Sequence, residues 1–284
     1  MQSIVNGLAQ GAIYSLAGVG LVLIFSVVRV PNFAHGEAVM VAAMLPLTLM
    51  TALHLALPLA LAIGILAAVA MGAFFSVGVF ARLTRYSETA LLIVSLALVV
   101  IISSAAVMVW GDSARQTPGG PTEIYQVFGA RIPVMWLIIL AIAFIATLAL
   151  DGFIRFTSPG RAMRAMALNP FAARLMGIPV GRYHALAFAI GSGLAGLAGA
   201  LFSVAFAVQS TMGAAIALKA FIVIIFVGMG SIWGALLGGL LLGLVESFGA
   251  SYLSSGYRDT FGFIFLLAVL LIKPTGLFTR RAYA

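Results

Sequence analysis

The sequence predicts an all-α polytopic membrane protein with about eight to nine transmembrane helices, two Gly/Pro-interrupted segments and one short helix in a basic loop. Three observations carry this reading. Hydrophobic residues make up 63% of the 284 residues and charged residues 8%, and the mean hydropathy is +1.21. Apolar runs able to cross a core of about 30 Å at about 1.5 Å per residue recur from end to end. The arginines cluster at the ends of these runs, where they read as topology signals. No polar region is long enough for a soluble domain, so residues 1–284 form a single transmembrane domain with one extended loop at 155–182.

The first run, 4–28, lies in a start whose first 20 residues carry no Lys or Arg. It therefore lacks the basic start of a cleavable signal and is expected to remain, with the N-terminus outside. Further runs lie at 37–53, 57–81, 89–110 and 134–154, the second being short and open to a tilted or re-entrant course. The segment Arg155–Arg182 holds five arginines and no acid, which places it inside. Counting back from it puts 111–133 and the His54 turn outside, and Arg82, Arg85 and Arg29 inside. The outer loop, rich in Pro and Gly, reads as an ordered but irregular surface cap.

Beyond the basic loop, 183–208 crosses outward. Residues 216–252 are too long for one crossing and barely enough for two, and Gly228, Gly230, Ser231 and Gly234 crowd their middle. They read as a short span to about Gly228 and a second from Ile232, joined by a tight turn. A last span at 258–272 then leaves Lys273, Arg280 and Arg281 inside, and the C-terminus with them.

Within the basic loop, Asn169 can cap a helix, Pro170 suits its first position and Gly177 can end it in a left-handed conformation. The helix runs Phe171 to Met176. Phe171 and Leu175 share one face, as do Ala172 and Met176, and Arg174 points elsewhere. Two turns are not stable alone in water, so the helix needs a surface, either lipid headgroups or a protein.

Other features narrow the function. Cys is absent, which removes disulfides, Cys-ligated zinc and thiol nucleophiles. His35, His54 and His184 are scattered and there is no HExxH, so neither a metal site nor an intramembrane enzyme is expected. The formal charge of +8 belongs to membrane topology and not to nucleic acid. The Gly runs at 191–199 and 234–243 suit close helix packing; with no P-loop lysine following, they do not cradle phosphate, and the chain needs no cofactor and does not itself hydrolyse ATP.

Polar residues in apolar surroundings mark the candidate pathway. Asn32, His35 and Glu37 stand at the broken entry to the second span, where Glu37 can either cap the helix or line a path. His35 and Glu37 are two apart and do not face each other on a helix. Glu246 is the deepest acid by sequence, with Lys219 its natural partner across a hairpin turning near Gly230. Residues 19–45 and 218–244 also echo each other as helix, break, helix, a pattern that points to a transporter's central path.

NFAHGE (32–37), NPFAARLMGIPV (169–180), GLAGLAGAL (193–201), LKAFIVIIFVGMGSIWGALLGGLLLGLVES (218–247) and KPTGLF (273–278), in this order over nearly the whole chain, resemble the branched-chain amino acid ABC transporter permeases of LivH type. The resemblance implies an inner-membrane permease subunit. Its expected partners are a second permease of LivM type, two cytoplasmic ABC ATPase subunits and a periplasmic solute-binding protein, in a setting of membrane lipid. It also implies that Asn169–Val180, with Arg164 nearby, is the coupling segment that docks on an ATPase. Met229 departs from the family's more usual GG-x-GS turn. Permeases for urea, short amides or aromatic carboxylates remain alternatives, as does an ion-coupled secondary transporter sharing the broken helices.

Overall fold

The computed structural model describes residues 1–29, 31–83, 88–127, 129–228 and 230–273. Arg85, Met229, Arg280, Arg281 and the 274–278 part of the KPTGLF motif lie outside the described residues. The helices are α1 (Gln2–Val28), α2 (His35–Leu53), α3 (Leu57–Phe74), continued by a π-helical turn Phe75–Phe80 and α4 (Ala81–Leu83), α5 (Glu88–Trp110) and α6 (Val134–Phe156). They are followed by α7 (Ser158–Leu168), α8 (Pro170–Leu175), α9 (Val180–Ala205), α10 (Met212–Val227), α11 (Ile232–Tyr252) and α12 (Arg258–Ile272). Among the described residues, seven helices are long and apolar enough to cross a membrane, and α10 is apolar but shorter. The all-α membrane architecture and the break between α10 and α11 stand as the sequence predicts.

Two expectations need correction. The basic loop contains two helices rather than one, because Thr157 caps α7, its Oγ1 accepting the Gly160 N–H at 3.1 Å, and Pro159 sits in the first turn. The outer loop is partly regular: β1 (Ile124–Val127) and β2 (Ala130–Pro133) pair antiparallel. Gly129 has φ +78° in the turn, a conformation that Gly adopts without strain.

Helix α1 is apolar on all sides and runs through the centre of the bundle, buried from Ala9 to Ile24. Its neighbour α11 approaches so closely that a Cβ on Gly7 would lie 2.8 Å from Leu244 Cα and one on Gly11 2.7 Å from Leu240 Cα. Ser15 Oγ lies 2.7 Å from the Leu236 carbonyl across the same seam. Lipid chains are as apolar as leucine, so this association rests on backbone approach and dispersion rather than on water exclusion. We expect Gly11→Val to force α1 and α11 apart at a cost of about 1–3 kcal/mol, as for an overpacked core. A lower melting temperature of the detergent-extracted protein checks this; an unchanged one would contradict the seam.

The bundle has two distinct ends. At one, Gln2 Nε2 donates to the Arg131 carbonyl (3.0 Å), the Arg131 N–H donates to Gln2 Oε1 (2.8 Å), and Ser247 Oγ donates to the Ser3 carbonyl (2.7 Å). At the other, Arg29 Nη2 donates to the Ala167 carbonyl at 2.7 Å. The hairpin and the N-terminus therefore share an end opposite to the basic loop, the alternation that the charges predict.

The start of α2 shows the re-entrant course left open by its short sequence run. The His35 ring reaches the Ala17 carbonyl at 3.0 Å, although Ala17 stands eleven residues, about 16 Å of helix, from the end of α1. The chain leaves α1 with Arg29 in the left-handed region (φ 56°) and turns back before α2 begins near mid-bundle.

Candidate functional site

Three groups of polar residues stand apart in the structure. In the basic loop, Asn169 Oδ1 accepts from the N–H groups of both Phe171 and Ala172 at 3.0 Å, Pro170 opens α8, and Gly177 has φ +80°. This is the cap, start and stop read from the sequence. Ala173 alone of the helix is buried, while Phe171, Leu175 and Met176 are 70%, 72% and 83% exposed. Arg174 is exposed beside them. A two-turn helix thus turns its large apolar side chains away from its own chain. Arg164 lies apart from this face: its guanidinium donates to the Ile154 carbonyl and ties α7 to α6.

Arg164 shares a cavity of about 600 Å³ with Arg155, Asp151, Ser26, Gly230 and Ser231, between α1, α6, α7 and the turn before α11. The structure therefore brings one residue expected in coupling together with two expected in the pathway. Ser231 also caps α11, its Oγ accepting the Gly234 N–H at 3.0 Å, and Gly228 and Gly230 have φ +90° and +104°. These angles explain the glycines, since a Cβ there would clash with the backbone.

The second group is Asn32, His35 and Glu37, all buried. A carbonyl only accepts, so the His35 proton resides on Nε2, facing Ala17, and Nδ1 is left as an acceptor. Among the described residues, Asn32 Oδ1, His35 Nδ1 and both Glu37 carboxylate oxygens have no hydrogen-bond partner. Glu37 consequently does not cap α2 through its side chain. It packs against Gly213 at the start of α10, where any Cβ would collide with the carboxylate. Buried polar atoms are normally paired, by protein or ordered water, so each of these four is an acceptor open to a water or a polar solute.

The third group surrounds Glu246. The Lys219 ammonium donates to Glu246 Oε1, and at 2.8 Å to Asp259 Oδ1. The Tyr14 hydroxyl donates to Glu246 Oε2 at 3.0 Å, and Arg258 Nε stands 3.8 Å from the same oxygen. The Lys219–Glu246 pair follows from the hairpin reading. Tyr14, Arg258 and Asp259 were missed, because their sequence separation from Glu246 gives no local signal. Glu246 stands near the hairpin end of the bundle and Ser231 near the other, so the pathway residues do not form one cluster.

Comparison with known proteins extends this picture. Residues 3–272 match a family model described as branched-chain amino acid transport system / permease component. The chain is 31% identical over 295 residues to the high-affinity branched-chain amino acid transport system permease protein LivH of Escherichia coli K12, covering 99% of this chain and 96% of that one. It is 32% identical over 296 residues to the permease protein BraD of Pseudomonas aeruginosa, with the same coverage. Among solved structures, PsaBC from Streptococcus pneumoniae in complex with Fab matches 96% of this chain and 91% of its own with TM-score 0.51 and 14% identity, a likeness of fold alone.

Proposed function

The chain belongs to the branched-chain amino acid transport system permease family, and from that premise we propose that it is the LivH-like subunit of an ATP-driven importer in the bacterial inner membrane. A second permease of LivM type completes the translocation pathway. Two cytoplasmic ATPases hydrolyse ATP, a periplasmic binding protein delivers branched-chain or related hydrophobic amino acids, and this subunit carries out no catalysis.

The observation that carries this reading is α8, a capped helix with exposed Phe171 and Leu175, followed by exposed Met176 at its C-cap. Such an anchor suits a groove on an ATPase, which would convert nucleotide-driven closure into a rigid-body push on α6 and α9 through the flanking loop. The same orientation puts the N-terminus and the hairpin outside, and the basic loop inside. Substrate enters at the outer end near Glu246 and passes Asn32, His35 and Glu37 toward Gly228, Gly230 and Ser231.

The natural absence of Cys makes the test direct. Ala172→Cys in native membranes, treated with a short thiol-to-amine cross-linker, is expected to yield a band containing an ATP-binding subunit. Labelling by an impermeant thiol reagent from outside would invert the topology. Labelling from inside without a protein partner would leave α8 on lipid. Separately, uptake is expected to stop on ATP depletion and to survive an uncoupler; the reverse pattern would favour an ion-coupled transporter.

A further inference from the structure

A second cavity, of about 230 Å³, opens at the hairpin end between α1, α6, α11 and the start of α12. By volume it takes far more than one water, which needs about 10–15 Å³. Its wall contains Gln10, which is 9% exposed with an Oε1 that has no hydrogen-bond partner among the described residues, and Arg258, whose buried Nε makes no hydrogen bond among the described residues and stands 3.8 Å from Glu246 Oε2. One is a hydrogen-bond acceptor and the other a charged donor. Asn6 extends the acceptor side, its Oδ1 already receiving one bond from Gln2 Nε2 at 2.9 Å. The opposite wall is aromatic, with Trp136 and Phe206 stacked at 6.1 Å between ring centroids and 16° between planes.

Behind Arg258 stand Lys219, Glu246 and Asp259, joined by ion pairs. Two cations and two carboxylates cancel, so the surroundings admit a neutral or zwitterionic solute more readily than an ion of either sign. An acceptor, a guanidinium and an apolar wall around one small cavity match the three parts of an α-amino acid: ammonium, carboxylate and hydrocarbon side chain.

We propose that this cavity is the permease's own amino acid site, with the carboxylate on the Arg258 guanidinium, the ammonium on Gln10 Oε1 and an aliphatic side chain against Trp136 and Phe206. The proposal rests on the reading of the chain as an amino acid permease and deepens it, since a site here would receive solute released at the outer face before it moves inward. Specificity would then be imposed twice, by the binding protein and again by the length of hydrocarbon the aromatic wall accepts.

The test uses the full importer in nanodiscs with the binding protein omitted, and three probes: L-leucine, isoamylamine, which lacks the carboxylate, and 4-methylpentanoate, which lacks the ammonium. Saturable leucine binding is expected, weaker by at least tenfold for either analogue. Arg258→Gln is expected to bind leucine no better than isoamylamine, whereas a merely structural role would weaken all probes alike. Ser251→Trp, which fills the cavity from its exposed rim, is expected to lower leucine binding at least tenfold in a complex that still co-purifies intact. No saturable binding to an importer that takes up leucine with its binding protein would overturn the site and leave the permease reading standing, as would binding indifferent to both substitutions. Failure of the complete importer to take up any amino acid would instead defeat the permease reading on which the site rests.

Discussion

Phe171→Asp is expected to reduce uptake by about 30-fold or more while leaving the folded permease in the membrane. An aromatic anchor at the centre of a docking surface is worth about 2–4 kcal/mol, and each 1.4 kcal/mol is about tenfold in an equilibrium. A carboxylate set into an apolar groove adds a desolvation cost. Folding of the chain itself is expected to be little affected, because the side chain is 70% exposed and substitutions at such surfaces usually stay within about 0.5 kcal/mol. Substrate-stimulated ATP hydrolysis and uptake, measured beside expression and extraction yield, check this. Full stimulation together with full uptake would show that α8 transmits nothing. Asn169→Ala is a milder companion: it removes the acceptor for two N–H groups, and loss of a cap costs about 1 kcal/mol, so a fewfold loss of coupling is expected.

The second large effect concerns Glu246. Its side chain is fully enclosed and receives bonds from Lys219 and Tyr14. Glu246→Ala leaves the Lys219 ammonium with Asp259 as its remaining carboxylate, and that residue is 68% exposed at its side chain. Breaking a buried pair by deleting one partner costs about 3–5 kcal/mol, whereas replacing both with apolar groups of similar volume is often neutral. Glu246→Ala alone is therefore expected to lower thermal stability and membrane yield sharply. Replacing Glu246 and Lys219 together, as Glu246→Leu with Lys219→Met, is expected to recover most of the loss. Equal damage from single and double variants would argue against the pair as a unit. Asp259→Asn is expected to cost far less, since its exposed carboxylate is already solvated.

The two proposed roles occupy opposite ends of the bundle, and α1 joins them. It contacts α7 through Arg29, lines the larger cavity through Ser26, faces His35 through Ala17 and lines the smaller cavity through Gln10 and Asn6. A rigid, glycine-seamed central helix is a reasonable member for transmitting movement between ends, because packed helices shift as bodies rather than deforming.

Composition, periodicity and punctuation alone determined the membrane class, the helical spans, the α10–α11 break and the start, cap and stop of α8. Each depends on interactions within a few residues or on the length of an apolar run, and both are written linearly in the chain. The Lys219–Glu246 pair was also legible, because a hairpin turn converts sequence distance from Gly230 into depth. Only the tertiary structure decided the rest. That α2 begins beside Ala17, that Glu37 packs against Gly213 with no hydrogen-bond partner among the described residues, and that Tyr14, Arg258 and Asp259 gather around Glu246 all depend on which helices touch. In lipid that choice follows from the fit of backbones at positions such as Gly7 and Gly11, and a glycine in a sequence announces that something comes close without saying what.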